Sequence, residues 1–155
     1  FSMNPDSPTG DEVRLREVLQ RLVRTASGLD QTLSLDKAHP GTSCGDRLQI
    51  RCDADRNGLA IAWNGEGCSL MQAGAALLVE VLSGKEPHAA RLIVDGALAM
   101  ASGETASPVE GLGDEPALVL GAFSTRPNRR ECLLFAWRAM RDWFDSNPEE
   151  TSGAG

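Results

Sequence analysis

The chain has no tyrosine, two histidines and four cysteines among 155 residues. Two histidines are too few for a histidine-rich metal site. Four cysteines are too sparse for a disulfide scaffold, so reduced, metal-bound or catalytic thiols are expected. Long apolar runs are also missing: none approaches the roughly 20 residues a membrane-spanning helix needs, and no membrane partner is expected. Basic charge is in deficit, with 15 lysines and arginines against 22 acidic residues and a net charge of −7. Non-specific nucleic-acid binding depends on lysine and arginine against phosphate, so no nucleic-acid partner is expected either. The opening Phe1-Ser2-Met3-Asn4-Pro5 lacks the basic-then-apolar order of a signal peptide. Met3 reads as the natural start after two foreign residues, and the cytoplasm is the expected location.

What is present suits a folded domain. Hydrophobic residues make up 41% and charged residues 24%, and the length allows one domain with a real core. Residues 1–8 read as a disordered leader, 9–145 as a single domain and 146–155 as a flexible tail. Thr9 offers a helix N-cap ahead of Asp11 and Glu12. Val13, Leu15, Val18, Leu19, Leu22 and Val23 follow at helical spacing, with Gly28 expected at the C-terminal cap. Arginines 14, 16, 21 and 24 read as the solvated face.

Leu33 and Leu35 alternate with polar neighbours and predict a short strand over 31–38. A clearer strand runs from Arg47 to Asp53, with Leu48, Ile50 and Cys52 on one face. Asn57-Gly58 predicts a hairpin turn into a strand from Leu59 to Asn64. Helices are predicted over 69–82, over 88–102 and from Pro127 or Asn128 onward, with 112–122 as a connecting segment. The order is that of an α+β domain rather than alternating β/α units.

Three cysteines stand beside glycine, proline or a helix start. Cys44 and Asp46 flank Gly45 and would share one face of an extended segment. Cys68 follows Gly67 at a predicted helix N-terminus, where free N–H groups and the dipole favour a thiolate. Cys132 lies near the start of the last helix, just after Arg129 and Arg130. Three thiolates and one carboxylate suit a tetrahedral zinc ion, and a nearby arginine would offset the excess negative charge. The gaps of 24 and 64 residues between these cysteines match no local zinc-finger pattern. Cys52 reads as a small buried hydrophobe, His39 and His88 as surface residues, and Glu131 as a solvated helix residue within reach of the site. Trp63, Trp137 and Trp143 read as core.

The segments CGDRLQI, GEGCSLMQA, LSGKEP, LGDEPALVLGAFSTRPNRREC and LFAWRAM, in this order and spacing, together resemble the SufU branch of the IscU/NifU-type proteins of iron–sulfur cluster assembly. The resemblance spans about residues 42–142. It implies a small antiparallel three-stranded sheet packed against four to five helices. It implies one zinc ion per chain, held by Cys44, Asp46, Cys68 and Cys132. The implied activity is that of a sulfurtransferase accepting persulfide sulfur from a SufS-type cysteine desulfurase, with downstream iron–sulfur scaffold proteins as further partners. In the family the thiol matching Cys44 is freed when the desulfurase offers a histidine to the zinc, and it then takes the sulfur. Arg129 matches an arginine that stabilises the site or guides the exchange.

The chain departs from the family pattern at Gly41-Thr42-Ser43, where asparagine and proline are usual, and through its first 40 residues. Glu131 stands where a basic residue is usual. An iron–sulfur scaffold holding a transient cluster on the same ligands, and an interaction protein with structural zinc, are the alternative readings.

Overall fold

In the computed structural model, residues 10–36, 45–105 and 107–150 are described. Five helices and one hairpin follow in the order α1 (Gly10–Thr25), β1 (Arg47–Asp55), β2 (Gly58–Glu66), α2 (Ser69–Leu82), α3 (Pro87–Ala101), α4 (Asp114–Gly121) and α5 (Pro127–Ser146). A 3-10 turn at Pro148–Glu150 closes the described chain. Residues 1–8, read as a leader, lie outside the described residues.

α2 occupies the centre. Met71, Ala73, Gly74, Ala75, Ala76, Leu77, Leu78, Val79, Val81 and Leu82 are all buried, as expected of a helix that is apolar on every side. It packs chiefly against α5 and then α1, while α3 leans on α5. The α2–α5 crossing is close because Gly74 has no side chain: a Cβ there would stand 2.0 Å from the carbonyl oxygen of Leu133. The Gly74 carbonyl accepts a 3.1 Å hydrogen bond from the indole Nε1–H of fully buried Trp137. Small residues on α2 thus let two backbones meet, and Trp137 fills the volume beside them.

The hairpin pairs β1 with β2 in antiparallel register from Arg47↔Glu66 to Asp55↔Gly58. Leu48, Leu59, Ile61 and Trp63 are buried on its inner face. Asn57-Gly58 predicts the hairpin correctly but not its turn. Asn57 is not among the residues of positive φ, and Gly58 takes the left-handed conformation at φ 96. That excludes the two-residue turn needing two such residues and fits a turn over Arg56 and Asn57 followed by a left-handed glycine.

Three other expectations need correction. Among the described residues the sheet has two strands, not three. The segment at 31–36 is turned, because the Asp30 carboxylate accepts both the N–H and the hydroxyl of Thr32, and Ser34 Oγ accepts the Asp36 N–H. Such local side-chain bonds compete with strand pairing. The two bonds from Thr32, the hydroxyl's first, also hold the Asp30 carboxyl below its ordinary range. What remains of a third strand lies slightly earlier, where Leu29 forms a parallel bridge to Trp63. There the Trp63 N–H donates to Gly28 and the Asp30 N–H to Trp63.

Residues 114–121 are a helix rather than a connection. Gly113 precedes it, Asp114 and Glu115 sit in its first turn, and Val119 and Leu120 are buried. Pro116 is tolerated because first-turn N–H groups have no helical partner. α1 ends at Thr25, three residues before the expected glycine, and Ala26 takes the left-handed position at φ 46.

Gly74→Ala is expected to destabilise the protein by about 1–3 kcal/mol, because the added methyl must push the α5 backbone away. Urea unfolding checks this, and an unchanged midpoint would mean that the crossing gives way freely.

Candidate metal centre

The hairpin's open end builds the first half of the site. Register places Asp46, just before β1, opposite Gly67, just after β2. Asp46 is 1% exposed and is the buried acidic residue of the described chain. Its Oδ1 accepts the Cys68 N–H at 3.0 Å, and its Oδ2 lies 3.7 Å from Cys68 Sγ. Cys68 is the N-cap residue of α2 and makes no side-chain cap bond of its own. The positive end of the helix dipole and a carboxylate from another element therefore meet there.

α5 supplies the second half. Cys132, 2% exposed, lies in its second turn and beside Leu133, the residue touching Gly74. Ligand atoms of Asp46, Cys68 and Cys132 all lie within 4.8 Å of one another. Three of the four expected ligands thus converge from three separate elements. The fourth, Cys44, lies outside the described residues. Gly45, between Cys44 and Asp46, has φ 77. The simple extended alternation assumed for that pair therefore does not hold at this position.

Other sequence candidates separate clearly. Arg129 is exposed in the first turn of α5, three residues before Cys132, which places the two on neighbouring positions of the helix surface. It has no hydrogen bond or ion pair among the described residues. Arg130 donates from a terminal nitrogen to the Ser124 carbonyl at 2.8 Å, and its Nε lies 3.7 Å from the Glu131 carboxylate. The Glu131 carboxylate receives two bonds from Arg138, at 2.9 and 3.0 Å, and stands outside the converging group. Cys52 is half-buried on β1 and also outside it. His88 is exposed, and His39 lies outside the described residues.

Two contributors were not legible as such. Gly67 reads in sequence as a strand breaker, but in space it backs directly onto the Asp46 carboxylate. Arg138 reads as one charge among many, and only the fold shows that it takes Glu131.

No known family model matches the chain. Over 118 residues it is 28% identical to the zinc-dependent sulfurtransferase SufU of Bacillus subtilis, covering 76% of this chain and 78% of that protein. Over 101 residues it is 26% identical to the iron–sulfur cluster assembly scaffold protein IscU of Streptococcus pyogenes, covering 64% of this chain and 62% of the relative. The match therefore spans less than two thirds of the latter protein's length.

Solved structures share the fold. A putative iron–sulfur cluster assembly scaffold protein for the SUF system from Fervidobacterium islandicum aligns with TM-score 0.65 at 22% identity, over 81% of this chain and 93% of that one. The N-terminal part of a NifU-like protein from Brucella abortus aligns with TM-score 0.67 at 13% identity, over 94% and 100%. In sequence the chain is thus similar to SufU- and IscU-type proteins, and in fold to SUF-system and NifU-like ones.

Proposed function

We propose that this chain works in iron–sulfur cluster assembly as a zinc-dependent sulfurtransferase, taking persulfide sulfur from a cysteine desulfurase of the SufS type. The observation that carries this reading is the convergence of Asp46, Cys68 and Cys132. Zinc–sulfur and zinc–oxygen bonds at tetrahedral angles put the two ligand atoms about 3.6 Å apart. The Sγ of Cys68 and the Oδ2 of Asp46 are 3.7 Å apart. The residues therefore fit the ion, and Cys44, two residues from Asp46, would complete the set. Bound there, zinc would keep its thiol ligands deprotonated.

The residues of the chain divide the remaining work. Cys44 is the acceptor: its thiolate attacks the outer sulfur of the donor's persulfide, a new S–S bond forms on Cys44, and the donor cysteine leaves as thiolate. Asp46 is a harder ligand than the thiolates and suits a site whose ligands must exchange. Cys68 and Cys132 are the holding ligands, anchored by the α2–α5 packing. Arg129 presents an exposed cation beside the site and draws in the anionic persulfide.

A second reading, an assembly scaffold that carries a transient iron–sulfur cluster on the same residues, is favoured by the likeness to IscU.

Native mass spectrometry is expected to find one zinc per chain, reduced in Asp46→Ala, Cys68→Ala and Cys132→Ala. Iron and sulfide at this site, with absorbance near 400 nm, would support the scaffold instead. Cys44→Ala is expected to accept no persulfide sulfur and to leave the desulfurase unstimulated; sulfur transfer at the normal rate would overturn the assignment of the acceptor. Arg129→Ala should keep its zinc yet slow sulfur acceptance about tenfold at low salt, with a smaller effect at high salt.

A further inference from the structure

Gly67 is the residue of the site region whose lack of a side chain has a direct consequence for a ligand. A Cβ built there would lie 2.3 Å from Asp46 Oδ1, 2.6 Å from its Cγ and 2.9 Å from its Cβ. Gly67 is not among the glycines of positive φ. Its backbone conformation is open to other residues, so the restriction is one of space alone. We propose that Gly67 is a positioning residue of the metal centre: the gap it leaves lets the Asp46 carboxylate close against Cys68 and turn a single oxygen toward the ligand cluster.

The consequences run through both oxygens of Asp46. Oδ1 is held by the Cys68 N–H at 3.0 Å, which leaves Oδ2 as the oxygen facing Cys68 Sγ at 3.7 Å. The same bond gives the N-terminus of α2 an acceptor that Cys68 does not itself provide. In a capping box, a glutamate on the helix reaches back to the N-cap N–H; here a carboxylate from the hairpin does so. A methyl at 67 would stand 2.3 Å from Oδ1, too close for the carboxylate to remain where it is. The carboxylate would swing away, and the helix end and the metal ligand would be lost together. The neighbouring Gly65 differs, since a Cβ there would meet the Arg47 carbonyl at 2.8 Å and strain the hairpin rather than the carboxylate.

The effect on metal binding rests on the zinc reading above, whereas the effect on the Cys68 amide does not. The experiment therefore uses two measurements on the full chain. Competition with a zinc chelator is expected to show about 10–100-fold weaker binding in Gly67→Ala, the usual range when a residue supporting a ligand is altered. Hydrogen exchange of the metal-free protein is expected to show the Cys68 amide protected in the wild type and unprotected in the variant. In an Asp46→Gly background, Gly67→Ala should change neither measurement further.

Wild-type zinc affinity and wild-type amide protection in Gly67→Ala would overturn the role of Gly67. Absence of zinc binding by the wild type would overturn the zinc reading, and the amide measurement would still decide the role of Gly67. Should Gly67→Ala fail to fold, folding of the Asp46→Gly/Gly67→Ala double variant would support the proposal, and failure of that variant too would overturn it.

Discussion

The close crossing of α2 and α5 at Gly74 governs both the core and the site. Cys68 begins α2 and Cys132 lies on α5 next to Leu133, the residue that touches Gly74. The distance between the two thiols is thus set by how nearly the helices approach. A wider crossing would leave a cavity around Trp137 and draw the thiols apart. Core packing and thiol spacing are two results of one contact, because close-packed interiors transmit small displacements rather than absorbing them.

The hairpin contributes differently. It fixes Asp46 by register, and register is pinned by the buried face of Leu48, Leu59, Ile61 and Trp63. A slip of one residue would turn that face outward and carry Asp46 away from Gly67. The carboxylate at the site therefore depends on apolar contacts along the whole ribbon. The bond from Cys68 N–H to Asp46 then ties the hairpin end to the helix start.

The sequence made the helices with sustained 3.6-residue patterns legible, and likewise the hairpin with its alternation around Asn57-Gly58. It was misleading where local chemistry overrode a short pattern. Leu33 and Leu35 alternate as in a strand, but Asp30 and Ser34 hold that stretch in turns. In α4 the apolar run from Leu118 to Leu120 is too brief to show a period, and the helix has only eight residues. The convergence of Asp46, Cys68 and Cys132 was legible because thiols beside glycines and helix starts are uncommon, and the family resemblance joined them into one set. Gly67 was not, since steric clearance between residues 21 apart has no one-dimensional signature. The pairing of Glu131 with Arg138 was hidden for a related reason: many arginines compete for one carboxylate, and only the fold selects among them.

Because the site draws on residues far apart in the sequence, it has a history during synthesis. Asp46 and Cys68 emerge together on a local hairpin and the helix start that follows it. Cys132 lies 64 residues further along the chain than Cys68. At translation rates of about 5–20 residues per second, that interval is roughly 3–13 s. During it the nascent chain carries the Cys68 thiol and the Asp46 carboxylate as a pair without their third neighbour. The buried Cys132 arrives only when α5 docks, so the three residues come together only after translation of the last helix.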